Sequence, residues 1–544
     1  MKRYHYAVVA FLWICFVAIS AHLLYSSFGF NPTDDGVTLA YSRRILEGQV
    51  PHRDFISIRP SLSPLLHLPE VLIGGAYTLW LSRFVFFLQL ACIAWFGTRF
   101  ISKGIGLPLS SIEQSALALI SFAFCCHSFP AMAWTTTDGL FLCVLGLHFR
   151  ARLSPYCAVI GYFLIGSAYL CKQSFFLVAP CALLLLGDWR KWKCVAASAL
   201  PGILYIVYLL ITGGLHDASQ QLLSQSGIMN FGVRSYLNNT ALLGVGVGFV
   251  ASILFGGESN EGRRPRWNLR TVAGVTLIAV IFALSVKRLF DDKLHGWSFA
   301  LFGLVCGALI SLILVRSDGR IHKLQTGVVV ALLAWSVSIS RGYNYPVLGA
   351  GILLTFVFGL TYRQLPKTQL RGEAFALLVA ALLTLVVFHH TRAYHIYRDW
   401  QASQLTHPLG DVLPGARHIR TNPNTYSFLA DLNTAIRLVD TNKFKYAIVP
   451  QVAVHWVRAR QANPLPIDWA QGGELNTPVL LGRELRAIER QRSQTVILVQ
   501  KVNASMLSWG FYPIRTNDSW NAVVGYARTH LKKIGETKYF ELYR

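Results

Sequence analysis

The stretch YAVVAFLWICFVAISAHLLYSSF (Tyr6–Phe28) is preceded by Lys2 and Arg3. A helix of about 20 apolar residues spans the hydrocarbon core of a bilayer. The stretch is long for a signal peptide and many further apolar stretches follow it, so we interpret it as an uncleaved first membrane helix. Further apolar stretches follow at about 71–97, 113–129, 137–149, 155–171, 173–187, 194–212, 239–256, 271–286, 297–315, 324–340, 344–361 and 373–390. The sequence predicts a polytopic α-helical membrane protein with about 13 transmembrane helices.

The composition supports this class and argues against a soluble protein. Of the 544 residues, 53% are hydrophobic and only 14% are charged, whereas roughly a quarter are charged in a soluble domain. The formal net charge is +24. Such an excess also occurs in nucleic-acid-binding proteins, but here much of it lies in short loops between apolar stretches, where it sets topology and contacts anionic lipid. We therefore expect membrane lipids and no nucleic acid as partners.

The basic loops indicate an orientation. If the N-terminus is cytoplasmic, six clusters of Lys and Arg fall on the cytoplasmic side, as the positive-inside rule requires. They are Arg99/Lys103, Arg150/Arg152, Arg190/Lys191/Lys193, Arg263/Arg264/Arg266/Arg270, Arg316/Arg320/Lys323 and Arg363/Lys367/Arg371. An odd number of spans then places the C-terminal part on the other side. We expect a multi-pass protein of the inner (cytoplasmic) membrane with a periplasmic C-terminal domain.

The chain divides near residue 391, where the sequence becomes polar. Residues 1–390 form the predicted membrane domain, which includes a first external loop at 29–69. Residues 391–544 are predicted to form a soluble α/β domain, large enough to bury a core of its own. Its predicted strands are Phe444–Pro450 and Thr495–Val499, and its predicted helices are Ser427–Val439 and Arg483–Gln491. Its acidic residues Glu474, Glu484 and Glu489 are interpreted as a solvated helix face.

Two acidic sites lie on the predicted outer side. Asp34 and Asp35 follow the first helix in NPTDDG (31–36), and Asp138 lies in WTTTDG (134–139). A carboxylate near a membrane is costly and is by default a candidate functional group. A structural role is equally open, because an Asp in NPTDDG can cap a helix over Val37–Leu46 and Asp138 can cap its own helix.

Three cationic sites fall on the same side. Arg59 precedes Pro60, Lys172 separates two apolar stretches, and Arg341 opens RGYNYP, which also contains Tyr345. Taken singly, an arginine here snorkels to the interface and the tyrosines belong to an aromatic belt. Taken together, cations that hold a phosphate and a carboxylate that accepts a proton would suit an anionic lipid headgroup and a hydroxyl nucleophile.

Several of these motifs also resemble a known family. Asp34-Asp35-Gly36, RILEGQVPHRDF (44–55) and RPSL (59–62) look like the first external loop of membrane glycosyltransferases of the GT-C superfamily. That group includes protein O-mannosyltransferases and the aminoarabinose transferase of lipid A. Thr137-Asp138, Lys172-Gln173 and Arg341 with Tyr345-Pro346 resemble later external motifs, so the resemblance covers most of the chain.

The resemblance implies an inverting hexosyl- or pentosyltransferase with a polyprenyl-phosphate sugar as donor. The acceptor would be a lipid such as lipopolysaccharide, another cell-envelope glycan or a protein. Asp34 would be the general base, Asp35 would complete the acidic pair, and Asp138 would assist or orient the acceptor. The donor phosphate would be held by Arg59, Lys172, Arg341 and Tyr345.

The chain departs from the family pattern at two positions. Asp35 stands where the family often has Glu, and Arg341 stands in a loop that often carries His. Paired acids can bind Mg²⁺, but we expect no metal and no other cofactor. The ten cysteines form no CxxC pair. His52 and His67 are interpreted as ordinary interfacial residues rather than catalysts.

Two other functions are compatible with the composition. An O-antigen ligase or polymerase would carry its large external loop between late spans, whereas here the long external segments are 29–69 and the tail. A transporter or lipid flippase places polar residues at mid-membrane and often has repeated halves. This sequence has no repeat and keeps its polar residues at the outer rim.

Overall fold

The computed structural model describes residues 2–152, 154–256, 269–314, 319–340, 343–362, 370–515 and 519–544. Three of the six basic loops, those containing Arg263, Arg316 and Arg363, lie partly or wholly outside these ranges. Up to residue 394 the described chain is almost entirely helical, as predicted. A small region of mixed helices and strands follows, which confirms the predicted change from apolar helices to an α/β region.

The helical part begins with the first helix and the loop that follows it. Its helices are α1 (Lys2–Tyr25), α2 (Val37–Leu46), α3 (Leu62–Leu66), α4 (Leu68–Ile73), α5 (Thr78–Gly104), α6 (Ser111–Cys126), α7 (Thr135–Arg150), α8 (Pro155–Ser167) and α9 (Val178–Leu185). It continues with α10 (Trp192–Ile211), α11 (Leu215–Leu223), α12 (Gly227–Arg234), α13 (Asn239–Gly256), α14 (Leu269–Phe290), α15 (Leu294–Leu314), α16 (Arg320–Ser338), α17 (Ala350–Tyr362) and α18 (Leu370–Tyr394).

The structure supports a multi-pass membrane protein without confirming thirteen spans. Seven described helices are long and apolar enough to cross a bilayer, or eight if α11–α12 and α13, bent by 52°, count as one span. Four shorter apolar helices of 10–17 residues coincide with other predicted spans: Ser111–Cys126, Pro155–Leu170, Gln173–Leu185 and Pro346–Tyr362. They are shorter than a full crossing of about 20 residues, so the count of thirteen stays a prediction.

The C-terminal region is built around a small mixed sheet. Its elements are β1 (His407–Pro408), β2 (Arg420–Thr421), α19 (Pro423–Arg437), β3 (Lys445–Val449), α20 (Pro478–Gln491), β4 (Thr495–Gln500), α21 (Ala522–His530), β5 (Lys533–Glu536) and β6 (Phe540–Tyr543). The strand order is β3-β4-β6-β5, with β3 and β4 parallel and the other pairs antiparallel. Both predicted strands and both predicted helices are present.

The first loop packs directly on this C-terminal region. Phe30 and Leu39 share a hydrophobic core with Phe428 and Leu498, and Ile56 and other loop residues enter a second core. A buried ion pair fixes the contact: the Arg44 guanidinium donates two hydrogen bonds of 2.7 Å to the Asp468 carboxylate. The first loop is therefore held against the C-terminal region by shared apolar cores and by this ion pair. Whether 1–390 and 391–544 are separate domains stays a prediction.

Candidate active site

A cavity of about 740 Å³ lies where the first loop, the ends of several helices and the C-terminal region meet. One part of its wall is apolar and the other is polar and charged. The charged residues are Asp34, Arg59, Lys172, Arg398 and Glu474, and the apolar ones include Phe176, Leu222, Leu223, Ile228 and Met229. Asp34, Arg59 and Lys172 are thus brought to one site, although they come from three separate segments.

Asp34 faces the cavity and does not cap a helix. The N-cap of α2 is Gly36, which has a φ of 88° and a left-handed conformation, and no side chain caps that helix. The Oδ2 atom of Asp34 instead accepts hydrogen bonds from the Tyr397 hydroxyl and from Arg398 Nη1, both at 2.8 Å. Its Oδ1 atom accepts no hydrogen bond from the described residues. The capping role considered for Asp34 is therefore wrong.

The partners of Asp34 are positioned by the residue that follows them. Asp399 accepts hydrogen bonds from Phe30 N at 2.9 Å, Thr421 Oγ1 at 3.0 Å and Asn422 Nδ2 at 2.7 Å. These contacts tie the segment after α18 to the first loop and to the C-terminal region. Burial, followed by the charge of Asp34, raises the pKa of Tyr397 well above its usual value, so its hydroxyl remains a donor.

Asp35 points away from Asp34 and is not among the residues that line the cavity. Its carboxylate accepts a hydrogen bond from Asn31 N at 2.9 Å and lies 3.5 Å from Arg83 Nη2. Arg83 also donates to the carbonyl groups of Ser26 and Gly29. Burial raises the pKa of Asp35, although the charge of Arg83 opposes the shift. The geometry is that of a residue that holds the loop carrying Asp34.

Lys172 is a buried cation on the cavity wall. Its Nζ donates a 2.9 Å hydrogen bond to Thr136 Oγ1, and in the part of the chain that the structure describes no carboxylate pairs with it. Burial lowers the pKa of Lys172 to about 7, and the Arg59 charge adds to this effect. Arg59 itself pairs with Glu474, at 3.3 Å between Nη1 and Oε1. Burying a cation without an anion is costly.

Asp138 lies in a closed buried cluster rather than on the cavity wall. It has no exposed surface, and its carboxylate accepts hydrogen bonds from Gln89 Nε2 at 2.7 Å, from His67 Nε2 at 3.1 Å and from Ser63. His67 also contacts Glu70 at 2.6 Å. Burial alone would lower the pKa of His67, but the Asp138 and Glu70 carboxylates raise it to about 10. The interpretation of His67 as an interfacial residue is therefore wrong.

Of the two remaining predicted phosphate ligands, only Tyr345 lies within the described residues, and it does not line the cavity. Arg341 lies outside the described residues. Tyr345 is not among the cavity-lining residues and packs its ring against His295 and Phe299, with centroid distances of 5.6 and 5.7 Å. Tyr343, two positions earlier, lines the cavity instead, and its hydroxyl contacts the rings of His127 and His295.

Sequence reasoning missed several residues of the site and misplaced two acids. Tyr397 and Arg398 lie just after the last apolar helix. The change to polar residues at this point of the sequence could have indicated them as candidate site residues. Glu474 and Glu484 were predicted to lie on a solvated face, but they are 2% and 0% exposed. Their neighbours come from distant positions: Arg59 meets Glu474, and the charges of Arg44 and Asp468 act on Glu484.

The described residues contain no group of three His, Cys, Asp or Glu side chains arranged as metal ligands. The two adjacent acids diverge, since Asp34 meets Tyr397 and Arg398 and Asp35 meets Asn31 and Arg83. The expectation that no metal is needed stays a prediction.

The chain is similar to solved structures of two kinds of membrane protein. Along 99% of its length it aligns with 98% of ArnT from Cupriavidus metallidurans bound to undecaprenyl phosphate, at 10% identity and a TM-score of 0.39. Along 92% of its length it aligns with 70% of the oligosaccharyltransferase AglB from Archaeoglobus fulgidus, in complex with an inhibitory peptide and a dolichol-phosphate, at 11% identity and a TM-score of 0.42.

Both structures belong to the GT-C group that the sequence resembles. At such identities and TM-scores the alignments carry no conclusion about the activity of this chain. No family model matches the sequence, and no curated protein matches it.

Proposed function

We propose that the protein is an inverting glycosyltransferase of the inner membrane, which moves a sugar from a polyprenyl-phosphate donor to a hydroxyl of a lipid, glycan or protein acceptor. One observation carries the proposal: the buried Lys172 ammonium and the Arg59 guanidinium share a cavity with the Asp34 carboxylate. Cations beside a proton acceptor are what the transfer of a phosphate-linked sugar needs. We propose that the site faces the periplasm.

Lys172 and Arg59 bind the phosphate of the donor. As the bond between the anomeric carbon and the phosphate oxygen breaks, negative charge grows on the leaving lipid phosphate. Lys172 has no carboxylate partner among the described residues, so its ammonium supplies the first counter-charge, and Arg59 adds a second donor group. A charge-assisted hydrogen bond of this kind contributes about 1.5–3 kcal/mol.

Asp34 accepts the proton of the acceptor hydroxyl. Tyr397 and Arg398 hold its Oδ2 atom at 2.8 Å, which leaves Oδ1 to take the proton. The acceptor oxygen then bonds to the anomeric carbon on the face opposite the phosphate, and the polyprenyl phosphate leaves. At the anomeric carbon one C–O bond forms while the other breaks on the opposite face, so the configuration inverts, and the proton of the acceptor hydroxyl ends on Asp34.

The apolar part of the wall suits the carrier lipid. Leu222 and Leu223 at the end of α11, Ile228 and Met229 on α12, and Phe176 border the same cavity as the two cations. Leu223 is 70% exposed, so this apolar wall continues to the outside of the helical part, where lipid would lie. A donor with a phosphate at one end and a hydrocarbon chain at the other matches this distribution.

Asp35 and Asp138 act as positioning residues in this proposal, because neither lines the cavity. Asp35 holds the loop of Asp34 through Asn31 and Arg83. Asp138 anchors the first turn of α7, whose Thr136 contacts Lys172. The role of Arg341 stays a prediction, and Tyr343 takes the place on the cavity wall that we had expected for Tyr345.

The donor class can be tested with purified full-length protein in detergent. Radiolabelled sugars linked to undecaprenyl phosphate or to nucleotides would be supplied together with a membrane extract as the source of acceptor. We expect label to move from the lipid-linked sugar only, and the transfer to be lost in Lys172→Met but kept in Lys443→Met, whose side chain is 74% exposed. Transfer from a nucleotide sugar would contradict the proposal.

A further inference from the structure

The wall that the C-terminal region contributes to the cavity differs in chemistry from the rest. It carries no unpaired cation among the described residues and includes two indole rings and three side-chain amides. These are Trp469, Trp520, Gln451, Gln471 and Asn503. Carbohydrate rings are recognised by this combination, because their C–H faces pack on aromatic rings and their hydroxyls need groups that both donate and accept.

The short segment WAQGGE (469–474) contributes Trp469, Gln471, Gly473 and Glu474 to the cavity lining. Trp520 lies against its two glycines: a Cβ atom on Gly473 would be 3.2 Å from the Trp520 ring, and a Cβ atom on Gly472 would be 2.8 Å from the Trp520 Cα atom. Gly472 N also donates a 2.9 Å hydrogen bond to the carbonyl of Trp520. Glycine at both positions thus lets the backbone support the indole closely, while 42% of Trp520 stays exposed.

The amides form a connected layer with unused hydrogen-bonding capacity. Gln451 accepts from the Trp469 indole at 3.4 Å and donates to Asn503 Oδ1 at 3.3 Å. Asn503 Oδ1 also accepts from the backbone and hydroxyl of Ser505, which fixes the orientation of the amide. Within the described chain, Asn503 Nδ2 and the whole Gln471 amide make no hydrogen bond, although both residues border the cavity.

This wall is joined to the phosphate-binding part of the cavity. Glu474, the last residue of WAQGGE, is 3.3 Å from Arg59, and its backbone N donates a 2.9 Å hydrogen bond to the carbonyl of Gln471. A sugar held by the indole and the amides would therefore lie beside a phosphate held by Arg59 and Lys172.

We propose that Trp520, Gln471 and Asn503 form a saccharide-binding subsite that takes a pyranose ring. The role of this subsite in catalysis rests on the proposed function. The pyranose can come from two sources, the donor sugar or a glycan acceptor, and both would use the same stacking and amide contacts.

The subsite can be tested by binding measurements on the full-length protein in detergent. The probes are undecaprenyl phosphate, undecaprenyl phosphate carrying one hexose, and the free methyl glycosides of glucose, galactose, mannose and N-acetylglucosamine. Trp520→Ala is compared with Trp509→Ala, which removes an exposed tryptophan of the same region that does not line the cavity. Dissociation constants are obtained by fluorescence quenching and saturation-transfer NMR.

We expect Trp520→Ala to bind a sugar-bearing probe about ten-fold more weakly, the loss expected for one aromatic contact, and to bind bare undecaprenyl phosphate as the wild type does. Weaker binding of the lipid-linked hexose identifies the donor sugar as the ligand, whereas weaker binding of the free glycosides alone identifies an acceptor glycan. Equal binding of every sugar probe by Trp520→Ala and Trp509→Ala would overturn the subsite.

The same data separate this inference from the proposed function. Lys172→Met should lose undecaprenyl phosphate and keep the free glycosides, which is the reverse of Trp520→Ala. If Lys172→Met binds lipid phosphate normally, the proposed donor site fails while a Trp520 effect on glycosides still supports the subsite.

Discussion

Replacing Lys172 by methionine should make the protein more stable and, at the same time, unable to bind lipid phosphate well. Methionine is flexible and apolar and can fill the space of the lysine stem. The structure buries the ammonium with only the Thr136 hydroxyl as a polar partner among the described residues. The substitution therefore removes a buried charge that the protein without lipid phosphate does not neutralise.

The expected changes in stability and in lipid-phosphate affinity can both be given a magnitude. The pKa of Lys172 is lowered from 10.5 to about 7, and a difference of one pKa unit corresponds to about 1.36 kcal/mol. The charged lysine thus costs the folded protein on the order of 4 kcal/mol at or below pH 7. The cost disappears as the pH rises toward 10.5, because the unfolded chain then also loses its proton. For lipid phosphate, losing one charge-assisted hydrogen bond weakens binding by about 10- to 150-fold.

Thermal unfolding in detergent, with and without undecaprenyl phosphate, measures both quantities. Without the lipid, Lys172→Met should unfold at a higher temperature than the wild type at pH 7, and the difference should shrink at pH 10. With the lipid, the wild type should gain stability and the variant should gain little. Lys443→Met, an exposed control, should behave as the wild type. A variant that is less stable without the lipid, or that is stabilised by it as much as the wild type, would refute the reasoning.

Three further substitutions test other contacts. Asp468→Asn breaks the buried pair with Arg44 and should lower the free energy of unfolding by about 3–5 kcal/mol, measured as earlier thermal unfolding of the C-terminal region. The wild type should lose stability as the pH rises from about 4.5 to about 8, because burial raises the pKa of Glu484 to about 8 and the folded state keeps a proton that the unfolded chain releases. Glu484→Gln should not show this loss in its free energy of unfolding. Asp138→Asn should lower the unfolding temperature and the affinity for lipid phosphate together, since His67 loses one of its two carboxylate partners and α7 shifts.

Each of these expectations has a control and a contradicting result. Asp440→Asn removes an exposed acid, 46% accessible, and should leave stability unchanged. If Asp468→Asn also left stability unchanged, the ion pair between Arg44 and Asp468 would not stabilise the fold. A pH profile of Glu484→Gln parallel to that of the wild type would contradict the buried acid. Normal lipid-phosphate affinity in Asp138→Asn, together with lost transfer, would favour the catalytic role first expected for Asp138.

Local patterns in the sequence were enough to predict several of the helices and strands. The strands predicted at Phe444–Pro450 and Thr495–Val499 correspond to β3 and β4, because their short length, β-branched residues and flanking turn residues favour strands over buried helices. The helix expected at Val37–Leu46 is α2. The number of spans was harder, since several apolar helices are shorter than a bilayer crossing and length alone does not assign them.

The candidate site could be predicted only as a set of charged side chains on one side of the membrane. Asp34, Arg59 and Lys172 do line one cavity. The partners that decide their roles are remote, however: Arg398 is 364 residues from Asp34. Glu474 was predicted to lie with Glu484 and Glu489 on a solvated helix face, but it is buried, at 2% exposure, and contacts Arg59 of the first loop. Such contacts depend on tertiary structure and leave no local pattern.

The most direct test of the proposed mechanism is a single-turnover transfer from radiolabelled undecaprenyl-phosphate sugar, comparing the wild type with Asp34→Asn. We expect the variant to bind the donor with an affinity close to that of the wild type and to transfer the sugar about 10²–10⁴-fold more slowly, the usual contribution of a general base. Transfer by Asp34→Asn at the wild-type rate would contradict the assignment of Asp34 as the base, and with it the mechanism proposed for this cavity.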